Sequence, residues 1–434
     1  KITSRLSDTK AIQSGFVNMY VNGQWQQVPL YERTNIRPAQ LIKGPAIIVE
    51  TNSTVVLEDG WQAKLNQYHH LILQRFKARE LLEAAGTDAD PVLLEVFNNL
   101  FMSIAEQMGA TLSNTAYSVN IKERLDFSCA IFDPYGNLVA NAPHMPVHLG
   151  SMGESIKEVI RKNKNKMRVG DVYMLNDPYH GGTHLPDVTV ITPVFDTSEK
   201  EIIFYVGSRG HHADIGGRTP GSTPPDSCHI DEEGVLIDNF LLVKEGMLRE
   251  KETRALLASG KYPCRNPDQN MADLAAQIAA NETGVREVNK VLKQSGMQVV
   301  QAYMRHVQNN AEESVRRVLD VLTNGQFNYA MDNGANIKVS IEVDREKREA
   351  TIDFTGTSVE DKGNYNAPVA VCKAAVLYVF RTLVDDNIPL NEGCLVPLHL
   401  VIPEGSMLSP KHPAAVIAGN TEVSQCITDA LYAA

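Results

Sequence analysis

The sequence of 434 residues contains no paired-cysteine motif, although it has six cysteines. A disulfide framework is uncommon in a chain of this length, and the spacing of these cysteines fits no structural zinc site. We therefore expect reduced thiols. The cysteines are Cys129, Cys228, Cys264, Cys372, Cys394 and Cys426.

Long apolar runs and positive charge are also scarce. No stretch approaches the roughly 20 apolar residues that a membrane-spanning helix needs, and no charged-then-apolar signal segment begins the chain. The formal net charge of −11 argues against general nucleic-acid binding, because such proteins displace counterions with a basic face. We expect a cytoplasmic protein with neither a membrane nor a nucleic-acid partner.

Two common motifs are missing as well, one of nucleotide-binding proteins and one of hydrolases. The sequence has neither the GxxxxGK[ST] phosphate loop nor the GxSxG nucleophile turn. If ATP is used, this segment supplies no recognisable site for it. The chain begins at Lys1 and stops inside an apolar helical pattern without a Gly, Asn or Pro stop signal, which predicts an internal piece of a longer polypeptide.

The first 75 residues have the pattern of short strands. Phe16–Val21 leads into the turn pair Asn22-Gly23, and Ala46–Glu50 and Thr54–Leu57 are separated by polar residues. A polar connector follows. We therefore predict a β-rich unit over residues 1–75, a linker over 76–90 and a large domain over 91–434.

The large domain mixes helical and strand patterns. Apolar residues recur every three or four positions from Val92 to Asn114, which predicts an amphipathic helix, and Phe127–Ala140 has the pattern of a strand hairpin. Beyond Met271 two long helical patterns are split at Ser295-Gly296, and alternating strands follow. Local helices next to hairpins indicate a mixed α/β (α+β) fold.

Histidines and aspartates concentrate in two loops. Asn176–Asp187 contains Asp177, His184 and Asp187, and a predicted strand over Ile202–Ser208 leads into a second loop with His212. Imidazole and carboxylate together suit Mn, Zn, Fe or Mg ions, and two converging loops leave a coordination position open for water or substrate. These four residues form the predicted metal-ligand set. The competing interpretation is structural: the Asp of Asn-Asp-Pro often only forms a turn, and His180 fits a surface position.

Further polar residues flank these loops. His148, His211 and Asp214 are assigned catalytic or orienting roles beside the metal. Arg218, in the glycine-rich loop 216–222, is predicted to bind a substrate carboxylate or phosphate, with a flexible surface loop as the alternative. Arg124 either binds substrate or forms a buried ion pair with Asp126, and the sequence favours the ion pair.

Several of these segments resemble the hydantoinase B/oxoprolinase family. The matching motifs extend from about Asp90 to Ala434, and residues 44–73 look like the C-terminal end of the hydantoinase A family. The two halves in one chain, in this order, resemble the fused arrangement of the oxoprolinase branch. The motifs are Asn120–Ala130, Asn141–Met152, Asn176–Asp187, Ser208–Gly217, Asp353–Thr357 and Gly419–Gln425.

The resemblance implies ATP-dependent ring opening of 5-oxo-L-proline to L-glutamate. An actin-like half that precedes this segment would use ATP and Mg to phosphorylate the lactam oxygen, and the half described here would direct water to the activated ring with its divalent metal. It also implies a small-molecule substrate, the hydantoinase A-like half as a partner, and a homo-oligomer. The alternatives are a hydantoinase or acetone/acetophenone carboxylase subunit, and a scaffold without catalytic function that docks the ATPase half.

Overall fold

The computed structural model describes residues 10–38, 40–77, 87–142, 144–384, 388 and 390–434. The chain forms two compact units, one within residues 1–83 and one within residues 84–434. Most of the predicted linker 76–90 lies outside the described residues, so the predicted boundaries stay a prediction.

The first unit consists of two small sheets. One has the strand order β1-β2-β4-β5 and the other β3-β6-β7. Asn22 and Gly23 both have positive φ, which a two-residue hairpin turn with the right twist requires, and β1 and β2 pair through this turn as predicted. The strands are β1 Gly15–Val21, β2 Gln24–Glu32, β3 Leu41–Lys43, β4 Ala46–Val49, β5 Thr54–Leu57, β6 Trp61–Leu65 and β7 Leu71–Arg75.

The second unit contains a seven-stranded sheet, a four-stranded sheet and the helices that cover them. Its helices are α1 Pro91–Thr115, α2 Val119–Lys122, α3 Pro146–Lys162, α4 Glu250–Leu257, α5 Pro267–Ser295, α6 Met297–Leu319, α7 Val369–Thr382 and α8 Ser424–Ala433. Its strands are β8 Phe127–Phe132, β9 Leu138–Asn141, β10 Val172–Leu175, β11 Asp187–Phe195, β12 Ile202–His211, β13 Phe240–Lys244, β14 Met247–Leu248, β15 Gly325–Ala330, β16 Asn336–Asp344, β17 Glu349–Asp353 and β18 Leu398–Val401.

The seven-stranded sheet has the order β14-β13-β10-β11-β12-β8-β9 and is covered on both faces. Cys129 and Ile131 of β8 pack against α1 and α5, whereas Ala130 and Phe132 pack against α3. Successive side chains of a strand point to opposite faces. Because both faces of this sheet are covered, every residue of β8 is buried. The central strands are therefore apolar without alternation, and a polar residue there needs partners inside the protein.

The four-stranded sheet β15-β16-β17-β18 packs with α6, α7 and α8 around a separate apolar core. This combination of sheets and helices confirms the predicted mixed α/β fold with a small β-rich N-terminal unit. The predicted helix over residues 92–114 corresponds to α1, whose first turn is capped by Asp90. Of the helices that the structure describes, none is long and apolar enough to cross a membrane; the compartment stays a prediction.

Glu233 is buried and anchors the segment that leads to α8. Its carboxylate accepts hydrogen bonds from the backbone N–H groups of Val416 and Ile417 at 2.9 and 3.0 Å and from the Ser227 hydroxyl at 2.8 Å. Burial raises the pKa of this carboxyl to about 7, against the opposing effect of these donors.

We expect this buried carboxyl to make the chain less stable as the pH rises from about 4.5 to 7. The folded state holds the Glu233 proton to higher pH than the unfolded state, so folding is favoured below this window and loses up to roughly 3 kcal/mol across it. Glu233→Gln should flatten that part of the curve, measured as the urea unfolding free energy against pH. A variant with the same slope as the wild type would contradict the assignment.

Candidate active site

Polar side chains gather on the α3 face of the seven-stranded sheet, where β11 begins and β12 ends. Asp187 pairs with His211 in the antiparallel register, and Thr189 pairs with Arg209. Because residues two apart in a strand share a face, these four side chains form one polar patch in an otherwise apolar sheet.

Helix α3 places a matching row of polar side chains opposite that patch. His148, Ser151 and Ser155 are three or four residues apart, so they lie on one face of the helix. His148 Nε2 lies 3.2 Å from Asp187 Oδ2 and its Nδ1 lies 3.3 Å from the Ser128 hydroxyl. The polar helix face and the polar sheet patch therefore satisfy one another inside the protein.

Asp187 is the centre of this cluster and is fully buried. Its Oδ1 lies 2.9 Å from His184 Nε2 and 3.0 Å from His211 Nδ1. Its Oδ2 accepts hydrogen bonds from Thr183 at 2.9 Å and Asn420 at 3.2 Å. One carboxylate thus joins the 176–187 loop, β12, α3 and the segment before α8.

His184 lies in the loop just before β11. The loop is fixed by Asn176, whose side-chain amide donates to Leu185 O at 2.7 Å and to Val235 O at 3.0 Å. His184 is 3% exposed, and its Nδ1 has no hydrogen-bond partner among the described residues. Its other nitrogen faces Asp187, so the loop holds this ring against the carboxylate.

Asp126 and Arg124 lie at the solvent side of the cluster. Asp126 Oδ1 is 3.8 Å from His148 Nε2 and its Oδ2 is 3.8 Å from His211 Nδ1. Within the described part of the chain Arg124 makes no ion pair, and its side chain is exposed. The favoured Arg124–Asp126 ion pair is therefore wrong for this structure, because Asp126 turns toward the imidazoles instead.

The electrostatics favour an ionised carboxylate among imidazoles. Burial alone would raise the pKa of Asp187, but the neighbouring His184 and His148 hold it well below its usual value. Burial lowers the pKa of His184 and so favours its neutral ring, in which one of the two nitrogens has a free electron pair for a metal ion. Burial also acts against charge on His211, but contact with Asp187 gives a net rise in the pKa of that ring.

This arrangement can hold a divalent cation. One ligand atom from each of His184, Asp187 and His211 lies within 4.8 Å of the others. Imidazole nitrogen with carboxylate oxygen suits Zn, Mn or Fe ions. Asp126 lies at the partly exposed edge, 3.8 Å from His211 Nδ1, and is not a member of this group.

Two of the predicted ligands lie outside this group. Both ring nitrogens of His212 are engaged, Nε2 by Gln277 at 3.1 Å and Nδ1 by Asn270 at 3.1 Å. Asp177 instead contacts His180 Nδ1 at 2.7 Å and caps the turn at Tyr179. The structure therefore brings together His184, Asp187 and His211, with neither Asp177 nor His212 among the contacts of Asp187.

We expect His212 to stabilise the folded chain through its hydrogen bonds to Gln277 and Asn270. His212→Ala leaves the buried amides of Gln277 and Asn270 without their partner, which costs about 1–3 kcal/mol. Divalent metal bound per chain should not change. Chemical denaturation with metal analysis of the dialysed protein checks both expectations. Loss of bound metal at unchanged stability would restore His212 to the ligand set.

Asp214 and Arg218 both form ion pairs with other residues of the protein. Asp214 forms an ion pair with Arg265 at 2.7 Å and accepts the N–H of Gly216, and Arg218 pairs with Asp226. The backbone N–H groups of Gly217 and Arg218 donate to carbonyl oxygens of Tyr262 and Glu232. These two N–H groups of the glycine-rich loop are therefore bonded within the protein. The structure gives the predicted anion-binding role of the loop no support.

Arg209 and Asn420 were not assigned to the site from the sequence, and for Asp126, together with Arg124, an ion pair was favoured over a place in the active site. The predicted strand ends at Ser208, whereas β12 continues to His211 and buries Arg209. Asn420 contacts Asp187 across 233 residues of sequence. A signal for Asp126 does exist: it directly precedes β8, the strand that pairs with β12.

Comparison with known proteins gives two family matches. Residues 90–434 match the model described as hydantoinase B/oxoprolinase, and residues 6–76 match the hydantoinase/oxoprolinase C-terminal domain. 5-Oxoprolinase 1 of Arabidopsis thaliana is 45% identical over 96% of this chain and 35% of its own length. 5-Oxoprolinase of Saccharomyces cerevisiae is 43% identical over 95% of this chain and 33% of its length.

A solved structure supports the same relationship. The ATP-dependent caprolactamase of Pseudomonas jessenii has a TM-score of 0.70 at 25% identity, covering 79% of this chain and 59% of that one. The chain spans about a third of the length of the curated 5-oxoprolinases it matches. With a family match over residues 90–434, the chain belongs to the hydantoinase B/oxoprolinase family.

Proposed function

We propose that this chain supplies the hydrolytic part of an ATP-dependent enzyme that opens 5-oxo-L-proline to L-glutamate. The observation that carries the proposal is the buried His184–Asp187–His211 cluster in a chain that is 45% identical to a 5-oxoprolinase. The proposed ATP-using half is a separate region or partner, which is supported by the chain's spanning about a third of the length of the 5-oxoprolinases it matches.

His184, Asp187 and His211 are the proposed metal ligands, and Asp126 faces His148 and His211 from the solvent edge of the cluster. The fit rests on the donor set: a neutral buried imidazole, an ionised buried carboxylate and a second imidazole that face one another. Asp187 Oδ1 lies 2.9 Å from His184 Nε2 and 3.0 Å from His211 Nδ1, so one ligand atom of each residue faces the same point. When bound, a divalent ion would polarise a carbonyl or phosphoryl oxygen and lower the pKa of a bound water.

The reaction needs activation because an unstrained amide resists hydrolysis. Transfer of the terminal phosphoryl group of ATP to the lactam oxygen releases ADP and gives an activated ring. Water then adds to the ring carbon, and the C–N bond breaks with its electron pair and a proton going to nitrogen. The resulting acyl phosphate reacts with a second water to give the carboxylate and inorganic phosphate.

The residues of this chain have three tasks in that sequence. Asp126, at the solvent edge of the cluster, accepts a proton from the attacking water. His148, held between Ser128 and Asp187, orients the carboxylate of Asp187. Arg124 is exposed yet close enough for its charge to oppose protonation of His211, so it is placed to attract the substrate carboxylate.

A second candidate is the opening of another lactam, which the likeness to an ATP-dependent caprolactamase favours. The full-length protein should be assayed with ATP and 5-oxo-L-proline, caprolactam or a hydantoin, after chelation and after addition of single divalent metals. Metal-dependent glutamate formation from 5-oxo-L-proline supports the proposal. Turnover of caprolactam alone would select the second candidate, and full activity after complete metal removal would reject the metal role.

A further inference from the structure

A cavity of about 370 Å³ lies between the start of α3, α7 and α8. Its volume falls within the range of small-molecule sites. Its wall combines apolar and tyrosine side chains with a few polar groups, as such sites do. The lining residues include Val147, Ala374, Ala375, Tyr378, Thr428 and Tyr432.

Asn420 belongs both to this cavity and to the Asp187 cluster. It lines the cavity, and its Nδ2 lies 3.2 Å from Asp187 Oδ2 and 3.2 Å from His184 Nε2. Val147 also lines the cavity and directly precedes His148 in α3, whose ring contacts Asp187. The cavity and the cluster therefore share one side chain, that of Asn420.

The backbone around Asn420 has an unusual conformation. Residues Gly419–Val423 form one π-helical turn before α8, and such turns occur frequently at functional sites. Gly419 is packed so tightly against the backbone carbonyl of Asn366 that a Cβ at this position would clash. The turn is thus held in place by close backbone packing, and this fixes the direction of the Asn420 side chain.

The Asn420 carboxamide is incompletely satisfied. The side chain is 9% exposed, and its Oδ1 is buried and makes no hydrogen bond to any described residue. Buried polar groups are almost always paired, so an orphaned oxygen beside a cavity and a reactive cluster calls for a partner supplied from outside the chain.

We infer that the cavity is the substrate pocket and that Asn420 positions the ring amide of the substrate over the cluster. The inference rests on the proposed function. The Nδ2 group of Asn420 is used by Asp187 and His184, which leaves its Oδ1 to accept a hydrogen bond from the ring N–H of a lactam. Bound in this way, the reacting carbon lies beside His184 and Asp187, while the apolar wall holds the ring methylenes.

The test uses full-length protein with its ATP-using half and two independent variants. Asn420→Ala removes the carboxamide, and Thr428→Trp fills the cavity from α8. The matched controls are Thr421→Ala, exposed in the same turn, and Glu422→Trp, exposed and outside the cavity lining. For each protein we would measure glutamate formed per ATP hydrolysed from 5-oxo-L-proline, together with divalent metal bound per chain.

Both variants should lower the glutamate-to-ATP ratio on the order of 10-fold, with metal content unchanged and the controls at the wild-type ratio. The activated ring would still be made but would not be captured. A wild-type ratio in both variants overturns the inference, as does a fall that only parallels loss of metal. If Asn420→Ala does not fold, Thr428→Trp decides. A wild-type protein that forms no glutamate would instead reject the proposed function.

Discussion

Replacement of Asp187 by asparagine should reduce divalent-metal affinity by more than about 100-fold and abolish ring opening. Removing a residue that only contacts a metal ligand already lowers metal affinity by about 10–100-fold. Removing the proposed ligand carboxylate itself should therefore lower metal affinity by at least about 100-fold. Asparagine keeps the shape of the side chain but replaces an anionic acceptor by a neutral group. It also places an N–H₂ group among His184, His148 and His211, all of which face this carboxylate.

The measurement is calorimetric titration of the dialysed protein with Zn²⁺ and with Mn²⁺. Asp177→Asn is the matched comparison, because Asp177 is equally an aspartate of the 176–187 loop but belongs to a second group of possible ligands, with His180 and Asp238. Asp177→Asn should keep the wild-type affinity at the Asp187 cluster. Metal loss in Asp177→Asn with retention in Asp187→Asn would reverse the assignment and favour the ligand set predicted from the sequence.

Local patterns account for the parts of the fold that were predicted correctly. The Asn22-Gly23 turn fixes its hairpin through the conformation of two residues, and the break between α5 and α6 falls at Gly296, within the predicted Ser295-Gly296 split. In both cases the determining chemistry lies within a few residues of the element. Such elements need no knowledge of their tertiary neighbours.

The candidate site depends on register, which local patterns do not determine. His184 and Asp187 were predicted together because they lie in one loop. Choosing His211 or His212 as the third ligand requires the end of β12 and its pairing with β11. Adjacent strand residues face opposite sides of a sheet, so a predicted strand that ends early does not show which of the two imidazoles faces Asp187.

Residues from distant segments were the hardest to assign. Asn420 reaches the cluster from the turn before α8, and Asp126 reaches it through pairing of β8 with β12. Both depend on how separate elements pack. Asp126 had a plausible local partner in Arg124, and this favoured the ion-pair interpretation that the structure does not support.

Removal of Arg209 should destabilise the chain by about 3 kcal/mol, because its guanidinium is fully buried and bonded to three hydroxyls. It donates to Thr189 at 2.7 Å, to Ser155 at 2.8 Å and to Ser151. Within the described part of the chain no carboxylate lies within ion-pair distance of it. Burial lowers the pKa of Arg209 to about 10, and the charge of nearby Asp187 opposes that fall, so the group stays charged at neutral pH.

The arginine therefore acts as the buried counter-charge to Asp187 and as a brace between β12, β11 and α3. Arg209→Met loses both functions, whereas Arg209→Lys keeps the charge without the planar array of donors and should be intermediate. Urea denaturation followed by circular dichroism gives the unfolding free energies, with Arg286→Met on the exposed side of α5 as the control.

A double variant separates the effect of the Arg209 charge from the effect of its hydrogen bonds to the three hydroxyls. If the charge of Arg209 compensates that of Asp187, Arg209→Met combined with Asp187→Asn should cost less than the sum of the single changes, by about 0.5–3 kcal/mol. Strict additivity would show that Arg209 acts through its hydroxyl contacts alone. The polar patch would then consist of two independent parts, a structural brace and a metal-binding cluster, that share the same two strands.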